Sequence, residues 1–452
     1  MLDHTFSDPR SVFDALSGSL KHAPTRPICG TVSGLRGMAI AVEMAGLALG
    51  QTCAIMRPAG AEPLLADVAA LTETGGMLMP YGSMRGIVAG ALVRPLDVTP
   101  RIAVGAHLLG RVLDGLGRDL VDPFSDALAR AAGPDAIFRP LRAAAPDPMG
   151  RPLINTALST GIHVIDSMTT LGRGQRVGIF GSPGTGKSTL IAAIARNTDA
   201  EVIVIGLVGE RGREVREFLE RDLPAEKRSQ VIVVASTSDR PAIERLYAAH
   251  TATAVAEGFR DQGKDVLLIL DSLTRVARAL REIGLATGEA PTRRGYPASV
   301  YPALPELIER AGTSPQGSIT ALYTVLQEGD GEGDPIAEEV KSLTDGHITL
   351  SQDLADAGHY PAIDPRRSLS RLMTSVASAQ VVQTSRKARA LMAKYEDIRL
   401  LVEVGEYKPG VDLLADEAVE KVPLLQEAFR QDLSEPVTIR DAGYRLVVDA
   451  LS

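Results

Sequence analysis

The chain has 452 residues, enough for two or three domains. Its formal net charge is −8 and its pI is about 5.5, so it lacks the basic balance typical of a dedicated nucleic-acid binder. With no Trp and only 4% aromatic residues, it also has little material for a base-stacking platform. We find no basic start followed by an apolar core and no uncharged apolar run of membrane-spanning length, so we expect a cytoplasmic protein.

The first elements along the chain are short. Residues 1–22 carry one apolar stripe and predict an N-terminal helix or arm, which either packs on its own domain or docks on a partner. Across residues 23–95, short β-type runs alternate with glycine-rich turns, which is typical of a small closed β-barrel. Residues 96–150 are rich in Pro, Gly and Ala and predict a crossover into the main domain, with a partly helical stretch at 101–116.

The main domain follows an α/β pattern. Apolar runs at 177–180, 201–208, 231–235 and 266–270 are separated by helical segments, and two further strands are expected at 319–326 and 347–350. Fully apolar strands joined by helices predict a mostly parallel sheet covered on both faces. We assign residues 96–378 to this domain. Residues 379–452 form a predicted C-terminal helical domain, with helices at 377–393, 394–405 and 412–429 and a tail from Gln431.

One glycine-rich stretch in the α/β domain predicts a phosphate-binding loop. The run Gly181-Ser182-Pro183-Gly184-Thr185-Gly186-Lys187-Ser188 fits G-x-x-x-x-G-K-[ST] between an apolar strand and a helical segment that continues through Thr189. Glycines allow close backbone approach, and the N–H groups of such a loop and helix start point at an anion. Lys187 would reach the β- and γ-phosphates, and the Ser188 hydroxyl would ligate Mg²⁺.

Two acidic residues end other predicted strands. Asp271 closes the apolar run 266–270, where it would hold Mg²⁺ directly or through water; the alternative is a cap for the helix that begins at Leu273. Glu210 follows a second buried strand, from which a carboxylate can orient or deprotonate a water for attack on the γ-phosphate. For the following Arg213 and Glu214, a solvated loop is an equal alternative.

Two further candidates lie late in the chain. Tyr360 could stack on a purine, and Arg371 could neutralise charge in the transition state. From the residues alone neither role follows, because an arginine after a turn is most often on the surface.

Six motifs in this order closely resemble the type III secretion ATPases, which comprise injectisome and flagellar export ATPases related to the rotary ATP synthase catalytic subunit. The motifs are GSPGTGKS, VGERGREVREF, LLILDSLTR, RRGYPASVYPALPELIERAG, TDGHITLS and GHYPAIDPRRSLSR. The resemblance is strong from about residue 150 to 430 and looser from 25 to 100. It implies a RecA-like P-loop core and a homohexameric ring that hydrolyses ATP with Mg²⁺ at sites between subunits.

The resemblance also implies roles for individual residues. Lys187 and Ser188 would bind phosphate and Mg²⁺, and Asp271 would be the strand-end Mg²⁺ residue. Glu210 would activate water with Arg211 beside it. Tyr360 would stack on adenine, and Arg371 would be an arginine finger that enters the neighbouring subunit's site.

The same resemblance implies partners. A stator-like regulator would bind the N-terminal helix, a central stalk protein would face Gly295-Tyr296-Pro297 in the ring, and export substrates and chaperones would bind the C-terminal domain at the inner membrane. The segment 393–410 favours the injectisome branch. Departures are Ser272 after the strand-end Asp, the run GDGEGD at 329–334, and residues 433–452, which extend beyond the usual end.

Three other functions are alternatives. A rotary ATP synthase or vacuolar-type subunit shares the motifs, but the C-terminal region lacks the acidic DELSEED segment. A hexameric RNA translocase would need an aromatic, basic N-terminal domain, whereas residues 25–95 contain only one aromatic residue, Tyr81. A non-catalytic nucleotide-binding scaffold would not need Glu210 and Arg371.

Overall fold

The computed structural model describes residues 29–58, 61–96, 99–121, 136–327, 333–434 and 442–452. The predicted N-terminal helix at 1–22 lies outside the described residues. The chain divides into two compact units, one within residues 1–80 and 84–98 and the other made of residues 81–83 and 99–452.

The first unit contains a closed barrel of six antiparallel strands. They follow the order β1-β2-β5-β4-β3-β6, and β6 pairs back to β1. Their bounds are β1 Gly30–Arg36, β2 Ala39–Glu43, β3 Thr52–Ile55, β4 Leu64–Thr72, β5 Gly75–Pro80 and β6 Leu92–Pro95. Alternating apolar side chains such as Ile40, Ile55 and Leu78 fill the interior. The predicted barrel is thereby confirmed.

The strand β4 is absent from the sequence prediction. Its sequence LLADVAALT is rich in Ala and interrupted by Asp67, and both residue types are depleted in strands. In the structure Asp67 is buried and accepts a 2.8 Å hydrogen bond from Thr52 Oγ1 on the neighbouring strand. Tertiary pairing therefore outweighs the local preference.

The second unit is built around a nine-stranded sheet. Its order is β19-β18-β12-β17-β15-β13-β14-β8, with β16 paired to β17. The central pairs are parallel, as predicted. The strands are β8 Val112–Leu113, β12 Arg176–Gly181, β13 Val202–Glu210, β14 Val231–Thr237, β15 Asp265–Asp271, β16 Gly312–Thr313, β17 Ser318–Leu326, β18 Gly346–Thr349 and β19 Leu369–Ser370. Two small sheets pair β7 Arg101–Val104 with β9 Ile137–Pro140 and β10 Ala157–Leu158 with β11 Leu171–Gly172.

Helices surround this sheet and form the C-terminal region. Those of the core are His163–Met168, Lys187–Asn197, Gly212–Glu217, Ala225–Arg228, Ala242–Asp261, Leu273–Ala286, Val300–Ile308, Pro335–Leu343, Gln352–Asp356 and Met373–Val376, with a π-helical turn at Phe218–Asp222. The C-terminal region contains Ala379–Glu403, Leu413–Phe429 and Ala442–Leu451. The fold is therefore a P-loop α/β core preceded by a barrel and followed by helices.

Three expectations about local structure are corrected. The stretch 101–116 contains two strands and only one 3₁₀ turn, Ala106–Leu108. The two helices expected at 377–393 and 394–405 are one helix, Ala379–Glu403, because no Gly or Pro interrupts it. The expected tail contains the helix Ala442–Leu451, whose Val447 is fully buried in the core.

The fold brings three chemically important strand ends to one edge of the sheet. Gly181 ends β12, Asp271 ends β15 and Glu210 ends β13. Because parallel strands present their carboxyl ends together, residues distant in sequence meet there.

Candidate functional site

The predicted phosphate loop has the backbone that an anion-binding loop requires. Gly184 and Gly186 have φ of 90° and 81°, a region that favours glycine, and Gly186 caps the helix Lys187–Asn197. The Thr185 hydroxyl closes the loop by donating to the Ser182 carbonyl oxygen at 2.9 Å. Ser188 and the following Thr189 lie exposed on the first helical turn, where their hydroxyls are available to a ligand.

The lysine of this loop already has an anionic partner. Lys187 Nζ lies 3.0 Å from Asp271 Oδ1, and both side chains are buried. Thr324 Oγ1 on β17 donates to the same carboxylate oxygen at 2.6 Å. The cap of the next helix is Ser272, which accepts from the Arg275 N–H at 3.4 Å. Asp271 therefore faces the phosphate loop and does not serve as the helix cap.

Glu210 lies in the same cleft, held by an arginine. Arg275 Nη2 is 2.9 Å from Glu210 Oε2, and Arg275 Nη1 donates to the Gly209 carbonyl oxygen. Burial, with a further contribution from the Asp271 charge, raises the pKa of Glu210 to about 7, and the Arg275 charge opposes this rise. A carboxyl group with a pKa near neutrality can accept a proton from a water molecule.

The residues around the cleft fit Mg²⁺ bound to a nucleotide. A cavity of about 110 Å³ is lined by Ser188, Glu210 and Asp271, by four apolar side chains, and by three further acidic residues, Glu214, Glu217 and Asp222. A hydroxyl and carboxylates are the oxygen donors that Mg²⁺ prefers, and Mg²⁺ sites commonly use one or two carboxylates plus substrate phosphates. In the part of the chain that the structure describes, no group of three or more His, Cys, Asp or Glu forms a metal cage, so a nucleotide would have to complete the coordination.

Tyr360 contacts the phosphate loop directly. A Cβ atom added to Gly186 would lie 3.2 Å from Tyr360 Cε1, so the ring packs against the loop backbone. Tyr360 is 40% exposed, so part of the residue is accessible to a ligand. Tyr360 therefore lies beside the phosphate loop of its own chain, and its stacking on a purine stays a prediction.

Two predicted residues do not join the cleft. The Arg211 side chain is 78% exposed and pairs with Glu214 at 3.4 Å. Arg371 is exposed after the edge strand β19, and its N–H donates to the Asp345 carbonyl oxygen at 3.0 Å. Asp345 also accepts from the backbone N–H of Arg176, the first residue of β12. Arg371 thus lies level with the start of the strand whose far end carries the phosphate loop.

Arg275 and Thr324 are site residues that the sequence analysis missed. Arg275 lies in the first turn of the helix that follows Asp271, but its partner Glu210 ends a different strand, so no spacing in the sequence signals their contact. Thr324 lies in the apolar run of β17 and carries no such signal, because a buried Thr is common in strands.

The fold and the cleft define a class of protein, a P-loop ATPase of the rotary ATP synthase type. The family model for the ATP synthase alpha/beta nucleotide-binding domain matches residues 161–370. The model for the T3SS EscN ATPase C-terminal domain matches residues 377–447. Most of the segment 433–452, expected to extend beyond the usual end, therefore belongs to the family domain.

Whole-chain relatives identify the family. A type 3 secretion system ATPase of Pseudomonas savastanoi pv. phaseolicola is 47% identical over 95% of both chains. A flagellum-specific ATP synthase of Pseudomonas aeruginosa is 42% identical over 94% of this chain and 93% of its own. The solved structure of the assembled ATPase EscN from the enteropathogenic E. coli type III secretion system matches with a TM-score of 0.87 at 40% identity, covering 94% of this chain and 100% of that one. This chain belongs to the type III secretion ATPase family and is an ATP-hydrolysing enzyme.

Proposed function

We propose that this chain assembles into a homohexamer whose ATP hydrolysis energises protein export through a type III secretion apparatus. The observation that carries the proposal is the separation of Arg371 from the cleft of its own chain. From Arg176 to Gly181 the strand β12 rises about 17 Å, more than an arginine side chain spans. A ring in which Arg371 enters the neighbour's cleft would complete each site, and the related EscN is solved as an assembled ATPase.

Within one site, each residue has a distinct task. On nucleotide binding Lys187 exchanges its partner Asp271 for the β- and γ-phosphates, which frees the carboxylate. Ser188 and Asp271 would hold Mg²⁺, which supplies neutralisation of the phosphate charge. Glu210, kept in place by Arg275, orients the attacking water and accepts its proton.

Two residues act at the ends of the substrate. Tyr360, packed against Gly186, stacks on the adenine. Arg371 of the neighbouring subunit stabilises the charge that develops on the transferred phosphoryl group. Arg211 is exposed, so we propose for it a role only in the assembled ring, at the surface beside Glu210.

The proposed partners extend the ring at three places. EscN is also solved in complex with its central stalk EscO, a structure that matches this chain with a TM-score of 0.83. A comparable stalk would face the loop 295–297 of this chain. Export substrates and chaperones would bind the C-terminal helices, whose tip exposes Leu400, Val404 and Leu413. A stator-like regulator would bind residues 1–22.

The proposed location is the cytoplasmic face of the inner membrane, where the ATPase would associate peripherally with the export apparatus. Among the described helices, none has the length and apolarity needed to cross a bilayer.

We favour the injectisome branch because the injectisome relative is 47% identical and the flagellar one 42%. The test is a chromosomal Lys187→Ala allele in the protein's own host, with secreted proteins and flagella followed together. Loss of secreted effectors with intact flagella supports the injectisome branch, and loss of flagella supports the flagellar branch. Unchanged secretion and flagellation would contradict the export function.

A further inference from the structure

The segment after the helix Leu413–Phe429 crosses the nucleotide-binding core. We call residues 431–434 the C-terminal strap. The Gln431 side chain makes two hydrogen bonds to the start of the helix His163–Met168: its Oε1 accepts from the His163 N–H at 2.9 Å, and its Nε2 donates to the Gly161 carbonyl oxygen at 2.8 Å. Because its amide group accepts one hydrogen bond and donates another to the same segment, the orientation of the Gln431 side chain is fixed.

The strap also holds the far end of the phosphate-loop helix. Arg196, one residue before that helix ends, donates to the carbonyl oxygens of Leu433 and Ser434 at 2.7 and 2.9 Å. The same guanidinium donates to the Asp222 carbonyl oxygen at 3.0 Å, at the end of the segment that follows Glu210. Leu433 itself is buried in the core. The strap is therefore attached to the core through Gln431, the buried Leu433 and the backbone of Ser434, while Asp432 is exposed.

The strap also contacts Tyr360, the residue proposed to stack on the nucleotide base. The backbone N–H of Gln431 donates to the Tyr360 carbonyl oxygen at 2.9 Å. On its other side Tyr360 places its ring against Gly186 of the phosphate loop. One residue of the strap thus fixes the backbone of Tyr360 and, through its side chain, ties that backbone to the core.

We propose that Gln431 is a positioning residue that sets the place of Tyr360, so that the C-terminal helical region controls affinity for the nucleotide base. The inference rests on the proposed stacking role of Tyr360. A displacement of the helix Leu413–Phe429 pulls the strap, moves the Tyr360 backbone and weakens contact with the base. A partner bound to the C-terminal helices would use this connection to tune nucleotide release.

The test distinguishes binding of the nucleotide base from binding of the phosphates. For full-length Gln431→Ala we measure binding of MgADP and of Mg-tripolyphosphate, which lacks a base, by calorimetry. We expect the Kd for MgADP to rise about fivefold or more, within the range that a lost base–aromatic stack produces, and the Kd for tripolyphosphate to stay unchanged. The KM for ATP rises in parallel, with little change in kcat. Gln426→Ala, at an exposed glutamine five residues earlier, is the matched control and should bind both ligands normally.

Two further variants make the outcomes distinct. In a Tyr360→Ala background, Gln431→Ala should add no further loss of ADP affinity, because its effect passes through Tyr360. If Tyr360→Ala alone leaves ADP affinity unchanged, the stacking role fails; if Tyr360→Ala weakens binding but Gln431→Ala does not, this inference alone fails. Equal weakening of tripolyphosphate would indicate a general loss of structure and would also overturn it. If Gln431→Ala does not fold, Gln431→Glu, which keeps the acceptor for His163, takes its place, with the same selective loss of ADP affinity expected.

Discussion

Lys187 Nζ and Asp271 Oδ1 lie 3.0 Å apart, so the residue expected to bind phosphate and the residue expected to hold Mg²⁺ neutralise each other. Their side chains are only 9% and 5% exposed. Without ligand, each charge has a partner of opposite sign in a site that excludes most water. Nucleotide binding must replace this internal ion pair by contacts of Lys187 to phosphate and of Asp271 to the metal. The charge partners of both residues therefore change when the site is occupied.

The first prediction concerns stability without nucleotide. Lys187→Ala leaves the Asp271 carboxylate buried with only the Thr324 hydroxyl, and loss of one partner of a buried ion pair costs about 3–5 kcal/mol. The free energy of unfolding of the nucleotide-free protein, measured with urea, should decrease by an amount in this range. The control is Lys264→Ala, whose pair with Glu201 is half exposed and whose loss should cost less than about 1 kcal/mol. Equal effects of the two substitutions would contradict the buried pair.

The second prediction concerns Glu210→Gln. Because the amide cannot accept a proton from water, kcat should fall about 10²–10⁴-fold while ATP binding survives. Binding of ATP and steady-state hydrolysis are measured on the same preparation. Glu220→Gln, at an exposed acid that pairs with Arg216, is the control and should retain normal turnover. Near-normal hydrolysis by Glu210→Gln would remove Glu210 from the proposed role.

The third prediction is a pH dependence with a defined sign. Burial and the Asp271 charge raise the pKa of Glu210 to about 7, so below that pH the group is protonated and cannot accept a proton. The rate should therefore rise about tenfold per pH unit on the acid side and level off above pH 7. Because Arg275 favours the charged carboxylate, Arg275→Gln should move the acid limb to higher pH. A profile that is flat across neutral pH, or a shift to lower pH, would contradict this assignment.

The fourth prediction tests the contribution of a neighbouring subunit. Arg371→Ala should lower the rate about 10³–10⁵-fold, the range seen for arginine fingers. Mixing it with Lys187→Ala should restore part of the activity, since an intact loop then meets an intact Arg371 at some interfaces. Mixing Lys187→Ala with Glu210→Gln is the control, because both substitutions damage the same cleft and no intact site forms. Absence of restoration at every ratio would count against Arg371 acting between subunits.

The sequence predicted those parts of the site that local patterns specify. The phosphate loop and the strand-end Asp271 follow from apolar strands ending in characteristic residues, and the barrel follows from short runs separated by glycine. The ion pair between Arg275 and Glu210 could not be predicted in this way, because it joins a helix to the end of a strand that is distant in sequence. The helix Ala442–Leu451 was missed because its stability comes from packing of Val447 in the core.

The most direct test of the shared-site account is the ATPase rate per subunit measured against protein concentration, with oligomer mass followed in parallel. Because Arg371 lies far from the cleft of its own chain, the account predicts a rate that rises cooperatively as hexamers form and that Arg371→Ala abolishes at every concentration. A rate per subunit that is constant down to concentrations at which only monomer is present would contradict it, since each chain would then hold a complete site.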